Sequence, residues 1–308
     1  MDEKLTKLIE ILSVGPTQLE QLQEDFEFET LTDTRRLITQ LRRAGYTVRE
    51  GELGVFLQHE TLQEDMTPHN IDLDDVFGVW SDTHLCSKYC ALTEMHEYMD
   101  EIADRGIHQV LHAGDVSDGF GVYRYQEANL VAFGVKGQLD YLIDNFPRRS
   151  GVKHIVLAGN HDNAVYKKTG ADLIEMFANK RDDVEYVGRS YARLVDQFGI
   201  KYDLVHPHMG RSYARSYQLQ VRQRNTTPKY RADVTLAGHR HTSWYGYIND
   251  EHLFECGGFQ KMSPRYVGKG IANDISAWIM EIDREDHLLK GIKPEIRTYS
   301  NVLDSALT

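Results

Sequence analysis

Five short segments of this sequence bring acids, amides and imidazoles together. They are Ser81-Asp82-Thr83-His84, Gly114-Asp115-Val116-Ser117-Asp118-Gly119, Gly159-Asn160-His161-Asp162, His206-Pro207-His208 and Gly238-His239-Arg240-His241. Carboxylate oxygen, amide oxygen and imidazole nitrogen form the mixed ligand set that suits Mn²⁺, Fe or Zn²⁺. Thiolates are scarce: Cys86 and Cys90 follow the first segment, and Cys256 stands elsewhere. That argues against a cysteine-ligated zinc site. Cys86 and Cys90 read instead as small fillers at a helix start.

Each segment follows a short apolar run. The runs are VFGVW at 76–80, QVLHA at 109–113, HIVLA at 154–158, YDLVH at 202–206 and VTLAG at 234–238. Such runs predict buried strands. Later strands are predicted at 253–258 and 276–282, and helical spacing fits 91–105, 123–145 and 170–180. Alternating strands and helices predict an α/β layered fold. Parallel strands in one sheet deliver their C-terminal loops to one edge, where such folds bind ligands. Residues from Asp82 to His241 would then meet in one cleft. His206 directly ends its run and is the expected ligand there; His208 reads as a contact to a ligand residue or to substrate, or as a plain loop histidine. His112, inside a run, reads as a packed histidine with one satisfied nitrogen.

D-x-H, G-D-x-x-D, G-N-H-D, a strand-end histidine and G-H-x-H, in this order, resemble the calcineurin-like metallophosphoesterase superfamily. The resemblance implies a four-layer α/β/β/α sandwich and two divalent metal ions. Asp82, His84 and His241 would hold the first ion, and Asn160, His206 and His239 the second, with Asp115 bridging. A metal-bridging hydroxide would attack phosphorus in line. His161 would protonate the leaving oxygen and Asp118 would orient it. Manganese is the expected metal, with iron, zinc and nickel as alternatives. The protein-phosphatase branch has an arginine after the second aspartate and a glutamate after the histidine; here Gly119 and Asp162 stand there. The tyrosine ligand pattern of purple acid phosphatases is not evident.

Two stretches bear on the substrate. Residues 207–233 hold Arg211, Arg215, Arg222, Arg224, Lys229 and Arg231 against one acid, Asp233. Tyr213 and Tyr217 lie among them. Arginines for phosphates and tyrosines for base stacking would suit a nucleic acid or nucleotide. A solvated helix face is the other reading, and both stay open.

Residues 1–66 read as helix, helix, helix and hairpin, with Thr17 capping the second helix. This resembles a winged helix-turn-helix domain. Arg35, Arg36, Arg42, Arg43 and Arg49 cluster on the third helix and hairpin. They are candidate DNA contacts. The same residues 1–66 hold seven basic and fourteen acidic residues, which suits a protein-interaction module equally. Residues 67–75 are expected to be a linker, and 76–308 the phosphoesterase domain.

The chain has 308 residues, 35 Lys plus Arg, 47 Asp plus Glu, and a formal charge of −12. That charge disfavours nonspecific coating of nucleic acid. Three cysteines fit a reducing compartment. No apolar run is long enough to span a membrane, and the first residues lack the pattern of a signal peptide. A cytoplasmic enzyme is expected. The predicted function is hydrolysis of phosphodiester bonds in nucleic acid, with a small-nucleotide phosphodiesterase as the alternative. A winged-helix regulator that only senses metal is the third reading.

Overall fold

The structure is a computed structural model and describes residues 3–14, 17–43, 48–51, 54–57, 67–207, 214–271 and 273–301. The chain divides into two compact units, Met1–Asp65 and Met66–Thr308.

The first unit holds α1 (Glu3–Val14), α2 (Leu19–Asp25), α3 (Leu31–Arg43) and an antiparallel hairpin of β1 (Val48–Gly51) and β2 (Gly54–Leu57). Leu8 and Leu12 of α1 and Leu37, Ile38 and Leu41 of α3 stand at helical spacing. They bury one face of each helix against Leu22, Val48 and Val55. Thr17 does not cap α2. Gln18 holds the cap position without a side-chain bond, and Thr17 is tied by two backbone hydrogen bonds to Val55. On α3, Arg35 pairs with Glu50 at 3.8 Å and Arg36 with Asp33 at 3.4 Å. Arg42 donates from Nε and Nη2 to the Val48 carbonyl, at 3.0 and 2.9 Å, and ties the helix to the hairpin. The side chains of Arg43 and Arg49 lie outside the described residues.

The second unit contains two six-stranded sheets. In chain order the strands are β3 (His69–Asn70), β4 (Val76–Trp80), β5 (Gln109–His112), β6 (Lys153–Ala158), β7 (Val184–Arg189), β8 (Tyr191–Val195), β9 (Lys201–Val205), β10 (Val234–Ala237), β11 (Ser243–Ile248), β12 (Glu251–Cys256), β13 (Ile275–Glu285) and β14 (Leu288–Tyr299). One sheet runs β14-β13-β4-β5-β6-β7, the other β11-β12-β10-β9-β8-β3. Strands β4 to β7 are parallel, as are β9, β10 and β12. The five ligand-bearing runs therefore do not share one sheet. β4, β5 and β6 lie in the first, β9 and β10 in the second.

Side-chain alternation explains the layers. Phe77 and Val79 of β4 face the second sheet, in a cluster with Leu204, Leu236 and Phe254. Trp80 packs the other way, with Met95, Tyr98 and Met99 of α4 (Leu92–Asp104). α5 (Gly134–Asn145) and α7 (Leu173–Ala178) complete that helical layer through Leu139, Leu142 and Phe177. Each such buried side chain contributes roughly 1.5–3 kcal/mol. α8 (Tyr217–Asn225) covers the second sheet through Leu219 on Val205, Ala237 and Leu253. α6 (Asn160–Thr169) and α9 (Pro264–Lys269) flank the strand ends.

Three expectations need correction. Residues 67–75 are not a linker: β3 pairs with β8, and Leu73 is buried and exchanges two hydrogen bonds with Gln197. The helix expected at 123–145 starts only at Gly134. Before it lies a short 3-10 turn, Gln126–Asn129, whose buried Gln126 donates to the Asp118 carbonyl. The helix expected at 170–180 spans Leu173–Ala178, capped by the Asp172 carboxylate. Among the described residues no helix is long and apolar enough to cross a membrane.

Candidate metal centre and cleft

The C-terminal ends of β4, β5, β6, β9 and β10 bring seven predicted residues together. His241 Nε2 lies 3.2 Å from Asp82 Oδ1 and 3.1 Å from His84 Nε2. His206 Nε2 lies 3.1 Å from both Asp115 Oδ2 and Asn160 Oδ1. His239 Nδ1 is 2.6 Å from the same Asn160 oxygen. The two groups adjoin: Asp115 Oδ2 is 3.7 Å from His84 Nε2.

Each element prepares a ligand atom. The backbone N–H of His239 donates to Asp82 Oδ2, and that of His161 to Asp115 Oδ1, both at 2.8 Å. This anchors one oxygen of each carboxylate and leaves the other facing the group. His206 Nδ1 lies 2.7 Å from the Ala113 carbonyl, which can only accept, so Nδ1 carries a proton and Nε2 is the nitrogen left to bind a cation in place of its proton. His84 Nδ1 meets Asp118 Oδ1 at 3.0 Å, with the same consequence. Gly159 is required by contact, because a Cβ there would overlap Asp115.

The backbone is strained at this place. Asp82, His84, Asp115, His239 and His241 have φ of 50°, 44°, 54°, 79° and 55°. Non-glycine residues enter this region at a cost of about 1–3 kcal/mol each, typically at functional sites.

Charge is also arranged unusually. Burial alone would raise both carboxyls, yet His241 and His206 hold Asp82 well below the ordinary range. His206 and His161 do the same for Asp115. Burial works against charge on His206 too, but Asp115 raises it to about 9. His239 is pushed down to about 3 by burial and by His206. Asp82 Oδ1 is fully buried without a hydrogen bond of normal geometry, as is His241 Nδ1. Buried carboxylates, inward ring nitrogens and an orphaned oxygen fit divalent cations. Among the described residues three groups could hold one: Asp82, His84 and His241; Asp115, His206 and His239; and His84, Asp118 and His161, which shares His84 with the first.

Residues 76–267, more than half of the chain, match the model of the calcineurin-like phosphoesterase superfamily domain. The chain belongs to this superfamily. Its members normally bind divalent metals, in agreement with these groups. Among solved structures, a novel archaeal phosphodiesterase is 15% identical with a TM-score of 0.42, covering 72% of this chain and 99% of that one. Zinc-complexed Vps29 from Entamoeba histolytica is 16% identical with a TM-score of 0.37, covering 72% and 98%. A predicted phosphoesterase from Streptococcus pneumoniae TIGR4 is 15% identical with a TM-score of 0.35, covering 72% and 97%. No curated protein matches the sequence.

Around this phosphoesterase centre, Asp118 has a wider task than expected. Its Oδ1 lies nearer His84 than His161, whose Nδ1 is 3.3 Å away. The Asp118 carbonyl holds the same His161 nitrogen at 2.8 Å. Asp162 was missed as a structural centre. It accepts from the backbone N–H groups of Val116, Ser117 and Gly159 and from the Ser117 hydroxyl. Burial and Asp115 push its carboxyl up to about 6 against those donors. Its place as third residue of α6 was the signal, since an acid there reaches back to the preceding backbone. His112 satisfies both nitrogens: Gly114 N–H donates to Nδ1, and Nε2 meets the Thr83 hydroxyl at 3.0 Å. Burial pushes the Cys86 and Cys90 thiols well above their ordinary value, which keeps them inert.

A cleft of about 290 Å³ opens over Asp115, Asn160, His161, His239 and His241. Tyr89, Tyr123, Gln260, Arg265 and Tyr266 also line it, and none carried a sequence signal. The expected substrate residues fare differently. Arg215 pairs with Asp274 at 2.5 Å, and Tyr217 is exposed at the start of α8; neither lines the cleft. Arg222 likewise binds Asp203, whereas Arg224 and Lys229 are exposed. His208, Arg211 and Tyr213 lie outside the described residues.

Proposed function

We propose that this chain hydrolyses phosphodiester bonds in nucleic acid with two divalent cations, Mn²⁺ first among them. The observation that supports this most is the pair of adjoining ligand sets around Asp115, with His161 beside them in one cleft. Cations held by Asp82, His84 and His241, and by Asn160, His206 and His239, would lower the pKa of water and offset charge on phosphoryl oxygens.

The chain's own residues do the rest. Asp82 and Asp115 keep fixed inward oxygens, and Asp115 faces both sets. His161 points Nδ1 at the Asp118 carbonyl, which leaves Nε2 to give a proton to the departing oxygen. Tyr89 on the rim offers a flat surface for a base. A second reading, a small-nucleotide phosphodiesterase, draws on the size of the cleft, at the low end for ligand pockets.

For the first unit we propose a winged-helix-like role in DNA contact. Arg35 and Arg36 stay exposed on α3, whereas Arg42 is committed to the hairpin. Arg35→Ala with Arg36→Ala should weaken DNA binding and lower its salt dependence by about two charges. An unchanged salt slope would contradict it.

The test of function is the full chain loaded with Mn²⁺ and given bis(p-nitrophenyl) phosphate, single- and double-stranded DNA, RNA and cyclic nucleotides. Nucleic acid should give the highest kcat/KM. Faster turnover of a cyclic nucleotide would favour the second reading. No turnover with Mn²⁺, Ni²⁺, Fe²⁺ or Zn²⁺ would leave the metal-sensing regulator.

A further inference from the structure

The position after Asp118 has no room for a side chain. Gly119 has φ of 58°, and a Cβ there would overlap the backbone carbonyl of His161. A cationic group for substrate must come from another part of the chain. Arg265, near the start of α9, is half-buried and lines the same cleft as Asp118, His161 and His241. It is the one Lys or Arg among the described residues of that lining.

Two features set it apart. Its guanidinium carbon stands 3.6 Å over the centroid of the Tyr123 ring. Several buried or half-buried arginines of this unit are committed to carboxylates: Arg181 to Asp183, Arg193 to Asp203, Arg297 to Glu101. Among the described residues Arg265 has no such ion pair. Stacking on an aromatic face fixes the guanidinium plane and leaves its edge of N–H donors for an acceptor. That planar fork matches two oxygens of a phosphate.

We infer that Arg265, oriented by its stacking on Tyr123, binds the phosphate oxygens of the substrate in this cleft. Arg265 is a binding residue and Tyr123 a positioning residue. The inference rests on reading the cleft as a phosphoester site.

The test uses the Mn²⁺-loaded full chain and two readouts. One is calorimetric binding of thymidine 5′-monophosphate; the other is KM and kcat for bis(p-nitrophenyl) phosphate. Arg265→Ala should weaken nucleotide binding by about tenfold or more and raise KM by a similar factor, as befits a lost charged hydrogen bond. The loss in kcat should be smaller. Arg265→Gln, which keeps length and packing, should behave alike and carries the test if the alanine variant does not fold. Arg265→Lys should recover part of the affinity, because charge returns without the fork. Tyr123→Leu should weaken binding in the same direction by less. Arg124→Ala removes an exposed charge one residue from Tyr123 and should leave affinity within about twofold, since screening weakens exposed charges. Wild-type affinity and KM in Arg265→Gln would overturn the inference, while turnover by the same protein would leave the phosphoesterase reading standing. A wild-type chain that neither binds nor hydrolyses would overturn both.

Discussion

The Nε2 atoms of His84 and His241 face each other at 3.1 Å, across 157 positions of sequence. Two ring nitrogens this close cannot both carry protons. Asp118 takes the other nitrogen of His84, so Nε2, toward His241 and Asp82, is the nitrogen left for a cation. A cation at these atoms would bind the folded chain and not the unfolded one. Mn²⁺ at a hundred times its dissociation constant should therefore add about 2.7 kcal/mol of stability. His241→Ala should shrink the Mn²⁺-dependent rise in Tm. A full rise in the variant would count against the first ligand set.

Asp118 touches both His84 and His161. Asp118→Asn preserves shape but removes the charge that holds the two rings. Metal affinity or kcat should fall about 10–100-fold, as for other residues that orient ligands. His161→Ala should lower kcat by about 10²–10⁴-fold with metal content intact. Metal titration and steady-state kinetics on both variants separate the two effects; an unchanged kcat in His161→Ala would remove the proposed acid.

The loops around these residues were legible because each ligand group directly follows an apolar run. The pairing into two sets came from the resemblance, and the geometry brings the same residues together. The division between two sheets was not legible. HIVLA of β6 and VTLAG of β10 look alike as strings, and only pairing tells their sheets apart. β14 went unseen because its faces alternate half-buried and exposed, with no apolar run. Arg265 and Tyr123 stand 142 positions apart in ordinary surroundings, so their contact exists only in the fold. Arg215 is the opposite case: a sequence signal marked it, and its pairing with Asp274, 59 positions away, exists only in the fold.

Asp162 offers a test of how the second and third loops are joined. Each of its oxygens accepts two donors. Asp162→Asn must turn an amide NH₂ against one of these donor pairs, whichever way it flips. The loss should be about 1–3 kcal/mol in urea unfolding. An unaltered midpoint would mean that the loops hold without it.

His154 predicts an acid sensitivity away from the centre. Its ring stacks on Trp80 at 5.7 Å and meets Phe146 edge-on at 4.8 Å. Burial pushes it down to about 4. The unfolded chain binds the same proton near pH 6.5. Between these values the unfolded state holds more protons, so stability falls as pH falls from about 6.5 toward 4. The contribution approaches roughly 3 kcal/mol. His154→Phe should flatten this part of the urea-midpoint profile; an identical slope would assign the sensitivity to other groups.

The most direct measurement is anomalous diffraction from crystals of the full chain grown with Mn²⁺. The account predicts two peaks, one against Asp82, His84 and His241, the other against Asn160, His206 and His239, with Asp115 contacting both. A density map in which Asp115 touches no ion, or in which His206 and His241 serve no metal, would contradict it.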